Sequence, residues 1–344
     1  MSENIALYRK YRPETFKDVK GQDHIVTVLE GAIKKDNIPH AILFAGGRGT
    51  GKTTLARIFA KEIGVKAVDV YEIDAASNRG IDDVRALREA VHTMPYESKR
   101  KVYIIDEIHM LTKEAFNALL KTLEEPPAHV IFILATTEPD RLLDTILSRC
   151  QIFTMRQPSR EMLNGVVTEV AKKEGFKLSH DAADLIAIAA DGSFRDALGI
   201  TQKVILASGD TIGGADEVAE IIGAPKLQIL EQLVTALNTK DAESAIKAIN
   251  EAVVSQVDMK LFVRLLLERL RAVILLRNAP GNAESILANF SATEAERLQS
   301  LASESVGAIN SHLLMRFLTA AEQTGKVPLP QLPLELAVIE TCQG

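Results

Sequence analysis

The chain has 344 residues, 47% of them hydrophobic and 25% charged, with 20 Gly and 12 Pro; at about 100 to 200 residues per domain that means two or three domains with sizeable cores, and whole-chain disorder is excluded. Lys plus Arg number 40 against 46 Asp plus Glu, a formal net charge of −6, so bulk positive charge cannot hold nucleic acid and any such contact needs a local basic surface. Cys150 and Cys342 lie far apart outside any CxxC pair, the N-terminus has no signal-peptide core, and no apolar run approaches the roughly 20 residues of a membrane span, so a cytoplasmic protein without a disulfide framework is expected.

Short apolar runs at Ala41–Ala45, Val68–Ile73, Val102–Ile105 and Val130–Ala135 predict buried strands. Between them Thr53–Ile63, Ile81–Val91 and Lys113–Glu124 carry apolar residues at three- and four-residue steps, the period of amphipathic helices. Strand-helix-strand units of this kind assemble as a doubly wound parallel sheet, with the ligand crevice at the carboxyl ends of the strands. Near Arg156–Arg160 the rhythm changes to helix after helix: Glu161–Glu174, Ser179–Ala190 and Ser193–Ala207, then, past a break at Gly209–Gly214, Leu227–Asn238, Asp241–Gln256, Met259–Arg277, Thr293–Leu301 and Asn310–Thr324. Three domains are therefore expected: an α/β domain over 1–157, a small helical domain over 158–223 and an all-α domain over 224–344.

Two motifs carry chemistry. Gly46-Gly47-Arg48-Gly49-Thr50-Gly51-Lys52-Thr53, followed by Thr54, fits the phosphate loop GxxxxGK[ST] and stands between the run AILFA and a helix. Its backbone N–H groups can turn onto phosphate oxygens, Lys52 can reach the β and γ phosphates of ATP, and Thr53 can ligate Mg2+. The second motif, Lys101-Val102-Tyr103-Ile104-Ile105-Asp106-Glu107, delivers two carboxylates at the end of a buried strand. Asp106 is placed for the magnesium shell and Glu107 to polarise a water in line with the γ phosphate. A solvated helix start is the bland alternative, but an acid pair directly after apolar residues is costly unless it faces a cation or the crevice.

The strings YRKYRPETFKDVKGQ, HAILFAGGRGTGKTT, EIDAASNRGIDDVRALREAV, KVYIIDEIHMLTKEAFNALLKTLEEPP, FILATTEP, ILSRC, GSFRDAL and LPLELAVIE, in this order, resemble the ATPase body of bacterial DNA polymerase III gamma/tau subunits, AAA+ proteins of the clamp loader. The resemblance implies an AAA+ P-loop NTPase domain, a helical lid and a third helical domain forming the collar of a pentamer. It also implies roles: Arg149 as an arginine finger for a neighbour's ATP, Arg195 as the lid arginine that senses the γ phosphate, Thr137 as a polar sensor beside the two carboxylates, and Tyr8, Arg12 and Val19 around the adenine and ribose. Implied partners are delta- and delta-prime-type subunits, further gamma/tau copies, the sliding clamp and primer-template DNA, the DNA faced by Arg79 and Arg85. The chain departs from the family where Lys61–Asp74 bridges the place of a four-cysteine module, so no zinc is expected, and in ending at Gly344, so the extension that binds helicase and polymerase in longer members is expected to be absent.

Other residues invite blander readings. Lys99-Arg100-Lys101 reads as a solvated turn rather than a DNA contact, and His109 as a packed or switch histidine, since it has no partner at metal-ligand spacing. The leading expectation is an ATP-hydrolysing clamp-loader subunit. Its competitors are a structural subunit that holds nucleotide without turnover, against which intact Lys52, Thr53, Asp106, Glu107 and Arg149 argue, and a small-molecule phosphotransferase, against which the implied finger and the long helical region argue.

Overall fold

Five strands form one parallel sheet in the computed structural model, which describes residues 5–77, 80–208, 214–288, 290, 292–304 and 307–343. They are β1 (Ala41–Ala45), β2 (Val70–Asp74), β3 (Lys101–Asp106), β4 (Val130–Thr136) and β5 (Gln151–Thr154), in spatial order β2-β3-β4-β1-β5. Both faces are covered, and this explains why β1, β3 and β4 read as unbroken apolar runs rather than alternating ones. Ile42, Phe44, Ile104 and Ile133 point to one layer with Ile25, Leu29, Leu55 and Phe59. Leu43, Tyr103, Ile105, Phe132 and Leu134 point to the other with Val84, Leu87 and Leu119.

The register places three chain ends side by side. Ala45 pairs with Thr136, and Ile105 with Leu134, so the segments leaving β1, β4 and β3 emerge as neighbours at one edge of the sheet. In this strand order the chain leaves β1 for the far edge and returns through β2 and β3 to β4. Such a reversal opens a crevice at the strand ends.

Four features differ from the sequence expectation. The second strand starts at Val70, because Ala67–Asp69 closes a 3-10 turn in which the Asp69 carboxylate accepts the N–H groups of Tyr96, Glu97 and Ser98. Strand β5 carries no apolar run, since only Phe153 of its four residues is buried; it exists through its pairing with β1. Lys101 belongs to no solvated turn: it opens β3 at 2% exposure and gives its ammonium to Thr93 Oγ1 at 2.6 Å. The helix Asp23–Lys34, which buries Ile25 and Leu29, adds an element not anticipated from periodicity.

The chain divides into two compact units, Met1–Thr211 and Ile212–Gly344. Within the first, the helices Arg160–Lys173, His180–Ala189 and Phe194–Ala207 begin at Ser159, Ser179 and Ser193, each hydroxyl capping an N–H three residues on. The second unit is helical, with its longest helix, Met259–Asn278, burying Phe262, Leu266, Leu270 and Val273 completely. Three of its helices start at side-chain caps, on Asp241, Asp258 and Asn310. Arg277 donates to the carbonyls of Leu301 (3.0 Å) and Ile309 (2.8 Å), tying the chain on either side of a helix end. Among the described residues, no helix is long and apolar enough to cross a membrane.

Candidate nucleotide site

The segment leaving β1 is the glycine-rich loop, and its shape excludes side chains at two positions. A Cβ on Gly46 would meet Met155 Cβ at 2.7 Å, and one on Gly49, whose φ is +70°, would meet Ser193 Oγ at 1.9 Å. Gly49 O accepts the N–H of Phe194 at 3.0 Å, so the loop is bonded to the first turn of the helix Phe194–Ala207. The helix that follows, Lys52–Glu62, starts at Gly51 with no side-chain cap and no acid in its first turn. Its N-terminal N–H groups and positive dipole end are thus available to an anion.

Lys52 is 6% exposed, and its ammonium donates to the carbonyls of Gly46 and Gly47, both at 2.8 Å. Burial lowers its pKa most, the charges of Glu107 and Asp106 oppose that, and Arg195 adds to it. Thr53 Oγ1 donates to Asp106 Oδ2 at 2.7 Å. A hydroxyl and a carboxylate held together are the hard oxygen donors that Mg2+ takes from a protein while phosphate and water fill its other positions, so the pair fits that ion.

Glu107 sits at φ +50°, ψ 46°, a left-handed conformation that costs a residue with a Cβ about 1 to 2 kcal/mol. The kink turns the chain out of β3 and brings its carboxylate to the end of β4. There Glu107 Oε2 accepts both the N–H (3.1 Å) and the hydroxyl (2.9 Å) of Thr137.

Gly49, Gly51, Lys52, Thr53, Asp106 and Glu107 line a cavity of about 600 Å³ together with Tyr8, Arg12, Val19, Arg48, Thr50, Thr54 and Arg195, while Gly46, Gly47 and Thr137 stand outside its lining. The Arg195 guanidinium lies 5.9 Å from the centre of the Tyr8 ring. Arg12 has its pKa lowered, first by burial and then by the charges of Arg57 and Arg195. Cations crowded into one cavity repel one another, and an incoming polyanion relieves that repulsion.

The N-terminal segment closes one side through residues no local motif announces. Lys10 and Tyr11 both bond Glu174, and Lys20 bonds Glu169, which Lys173 also holds. Hydrogen bonds from Lys173 and Lys20 hold the Glu169 carboxyl down at about 2. Because these partners lie some 150 residues apart in sequence, the only local signal is an acid on the exposed face of a helix.

Not every expected residue joins the cavity. Arg149 stands apart, its guanidinium bonded to Glu124 Oε1 and to the Thr145 carbonyl, both at 2.6 Å. Arg79 lies outside the described residues, as does the side chain of Arg85 on the helix Ile81–Val91. His109 is packed beside the acid pair, its ring 3.5 Å from Glu107 and 3.4 Å from Glu138.

Three sequence families match successive parts of the chain: DNA polymerase III, delta subunit, over residues 64–159; DNA polymerase III clamp loader subunit, ATPase lid domain, over 163–210; and DNA polymerase III subunits gamma and tau domain III, over 214–343. DNA polymerase III subunit tau of Bacillus subtilis is 37% identical, over 98% of this chain and 63% of that protein. The tau subunit of Escherichia coli K12 is 38% identical, over 80% of this chain and 46% of that one. The chain thus spans between about half and two thirds of the length of these relatives. Among solved structures, the Thermotoga maritima RuvB Holliday junction branch migration motor superposes with a TM-score of 0.52 at 23% identity, covering 72% of this chain and 88% of that one, a likeness of fold alone.

Proposed function

Since the chain belongs to the DNA polymerase III gamma/tau family, we propose that it is an ATP-hydrolysing subunit of the clamp loader, which uses ATP to open a sliding clamp and place it on primer-template DNA. The observation that carries this reading is the meeting of three chain ends at the carboxyl end of the sheet: the phosphate loop, the Thr53–Asp106 pair and Glu107 line one cavity, and Thr137 holds the Glu107 carboxylate. Binding alone would need the first; in-line attack by water needs the others as well.

In this reading the loop N–H groups and Lys52 hold the β and γ phosphates, and Tyr8, Arg12 and Val19 surround the base and ribose. Mg2+, when bound through Thr53 and Asp106, would neutralise charge developing on the transferring phosphoryl group. Glu107 orients the attacking water and takes its proton, Thr137 fixes the carboxylate that does so, and Arg195 approaches the γ phosphate from the lid. Arg149 serves a neighbouring subunit, so turnover requires assembly.

The division of labour follows the chain: nucleotide chemistry in residues 1–157, a lid over 158–223, and a collar over 224–344 that packs with delta- and delta-prime-type subunits and further gamma/tau copies. Arg79 and Arg85 would meet DNA phosphates, where affinity needs no base readout. The test is steady-state ATP hydrolysis by the loader reconstituted with this chain, with and without sliding clamp and primer-template DNA. Stimulation by both together is expected; nucleotide bound without stimulated turnover would overturn the catalytic reading in favour of a structural subunit.

A further inference from the structure

Directly after the acid pair, Ile108–Met110 forms a single 3-10 turn that carries His109 back against the end of β4. The imidazole is only 4% exposed, although both acids beside it are partly open to solvent. Its Nδ1 lies 2.9 Å from Thr136 Oγ1 and 3.5 Å from Glu107 Oε2, and its Nε2 lies 3.4 Å from Glu138 Oε1. Glu138 is itself held by Arg141 Nε at 2.8 Å. Three consecutive residues at the end of β4 therefore clasp the turn: Thr136 and Glu138 grip the histidine, and Thr137 grips Glu107.

Thr136 has a second tie. Its hydroxyl accepts the Glu138 N–H at 3.0 Å, and its carbonyl accepts the N–H of Gly46 at 3.1 Å. Gly46 opens the phosphate loop. A connected set of hydrogen bonds thus runs from the loop through Thr136 to His109, whose ring then abuts the oxygen of Glu107 that Thr137 also holds.

We propose that His109 is a positioning residue for Glu107: wedged between Glu107 and Glu138 and anchored on Thr136, its ring sets where the Glu107 carboxylate points and ties that setting to the phosphate loop. A packed histidine needs only shape and a partner for each nitrogen. Here the ring instead faces two carboxylates from opposite sides, Glu107 at Nδ1 and Glu138 at Nε2. The Glu107 carboxylate, delivered by a left-handed backbone conformation, thus has neighbours on two sides, Thr137 and His109, and fixing a reacting group's direction is worth rate.

The inference rests on the reading of Glu107 as the base, and the experiment separates the two. In the reconstituted loader with clamp and primer-template DNA, kcat and KM for ATP and the ATP Kd are measured for the parent, Glu107→Gln, His109→Ala, His109→Gln, Thr137→Ala and the His109→Ala/Thr137→Ala pair. His109→Ala is expected to lower kcat by about 10- to 100-fold, the penalty of a misplaced group, with Kd changed less than about threefold. His109→Gln, which keeps a polar nitrogen, should recover part of that loss. The double variant should be scarcely slower than the slower single, because both residues restrain one carboxylate. An unchanged kcat in His109→Ala, a Kd that weakens as much as kcat falls, or losses that add in the double variant would each overturn the positioning role while leaving Glu107 as base. A parent that turns over equally well with Glu107→Gln would remove both.

Discussion

Buried charge is handled differently in the two units. In Ile212–Gly344, Arg269 is almost covered and is consumed by neighbours of its own chain, donating to the Leu265 carbonyl at 2.9 Å and pairing with Glu294. Arg277 in the same helix is used up on main-chain carbonyls. In Met1–Thr211, Lys52, Arg12 and Arg195 instead share a cavity, where burial first and the charge of Arg195 after it lower the proton affinity of Lys52 and Arg12, while Asp106 accepts from the Thr53 hydroxyl and Glu107 from the hydroxyl and N–H of Thr137. Charge neutralised within the chain builds structure; charge left crowded is held for a ligand.

On that contrast, substitutions of the residues assigned to nucleotide chemistry in the first unit should abolish turnover with little effect on folding, and those of the buried arginines in the second should do the reverse. The largest effect is expected from Arg149→Ala in the assembled loader, with DNA-stimulated turnover reduced by about 10³-fold or more while ATP titration of the variant is unchanged. Glu107→Gln should follow, lowering kcat by about 10²- to 10⁴-fold while urea unfolding overlays the parent. Arg269→Met tests the other side: withdrawing the guanidinium from Glu294 should cost about 3 kcal/mol of unfolding free energy, read by denaturant titration, with ATP binding intact. Loss of ATP binding at undiminished stability would break the comparison.

The smallest effect concerns Asp69, a buried acid of the first unit used as scaffold. Burial pushes its carboxyl up, but the N–H groups of Glu97, Tyr96 and Ser98 outweigh that and hold it at about 2, against an ordinary 3.8. Between those two values the unfolded chain binds a proton that the folded chain refuses. Its contribution is therefore complete above about pH 3.8 and is lost as the pH falls toward 2. Asp69→Asn should lower Tm by a few degrees at pH 7, and the gap from the parent should close across that acid window. A gap independent of pH would mean that the carboxylate does not hold the 96–98 turn.

The legible parts of this molecule are those whose signal is local. Strands β1, β3 and β4 are covered on both sides, so burial writes them as apolar runs, and the loop and the acid pair sit at their ends. Strand β5 left no such mark, because three of its four residues are exposed and its place is set by β1. The pairs Lys10–Glu174 and Lys20–Glu169 join surface charges that are unremarkable until the fold brings them together. His109 showed no partner at ligand spacing because Thr136 and Glu138 lie nearly thirty residues further along. The tie between Arg149 and Glu124 was equally hidden, being a property of the loop after the helix Asp144–Leu147.

The bond from the Phe194 N–H to the Gly49 carbonyl joins the phosphate loop to the helix bearing Arg195 through main chain alone. Among substitutions at Phe194 only proline, which lacks the N–H, removes the donor; other replacements leave the bond in place. By thermodynamic reciprocity, whatever factor ATP contributes to the docking of that helix, restraint of the helix must return to ATP affinity. A neighbouring subunit that pressed on the helix could therefore tune nucleotide affinity without touching the cavity, and a cross-link pinning the helix to the loop would measure the shared free energy directly.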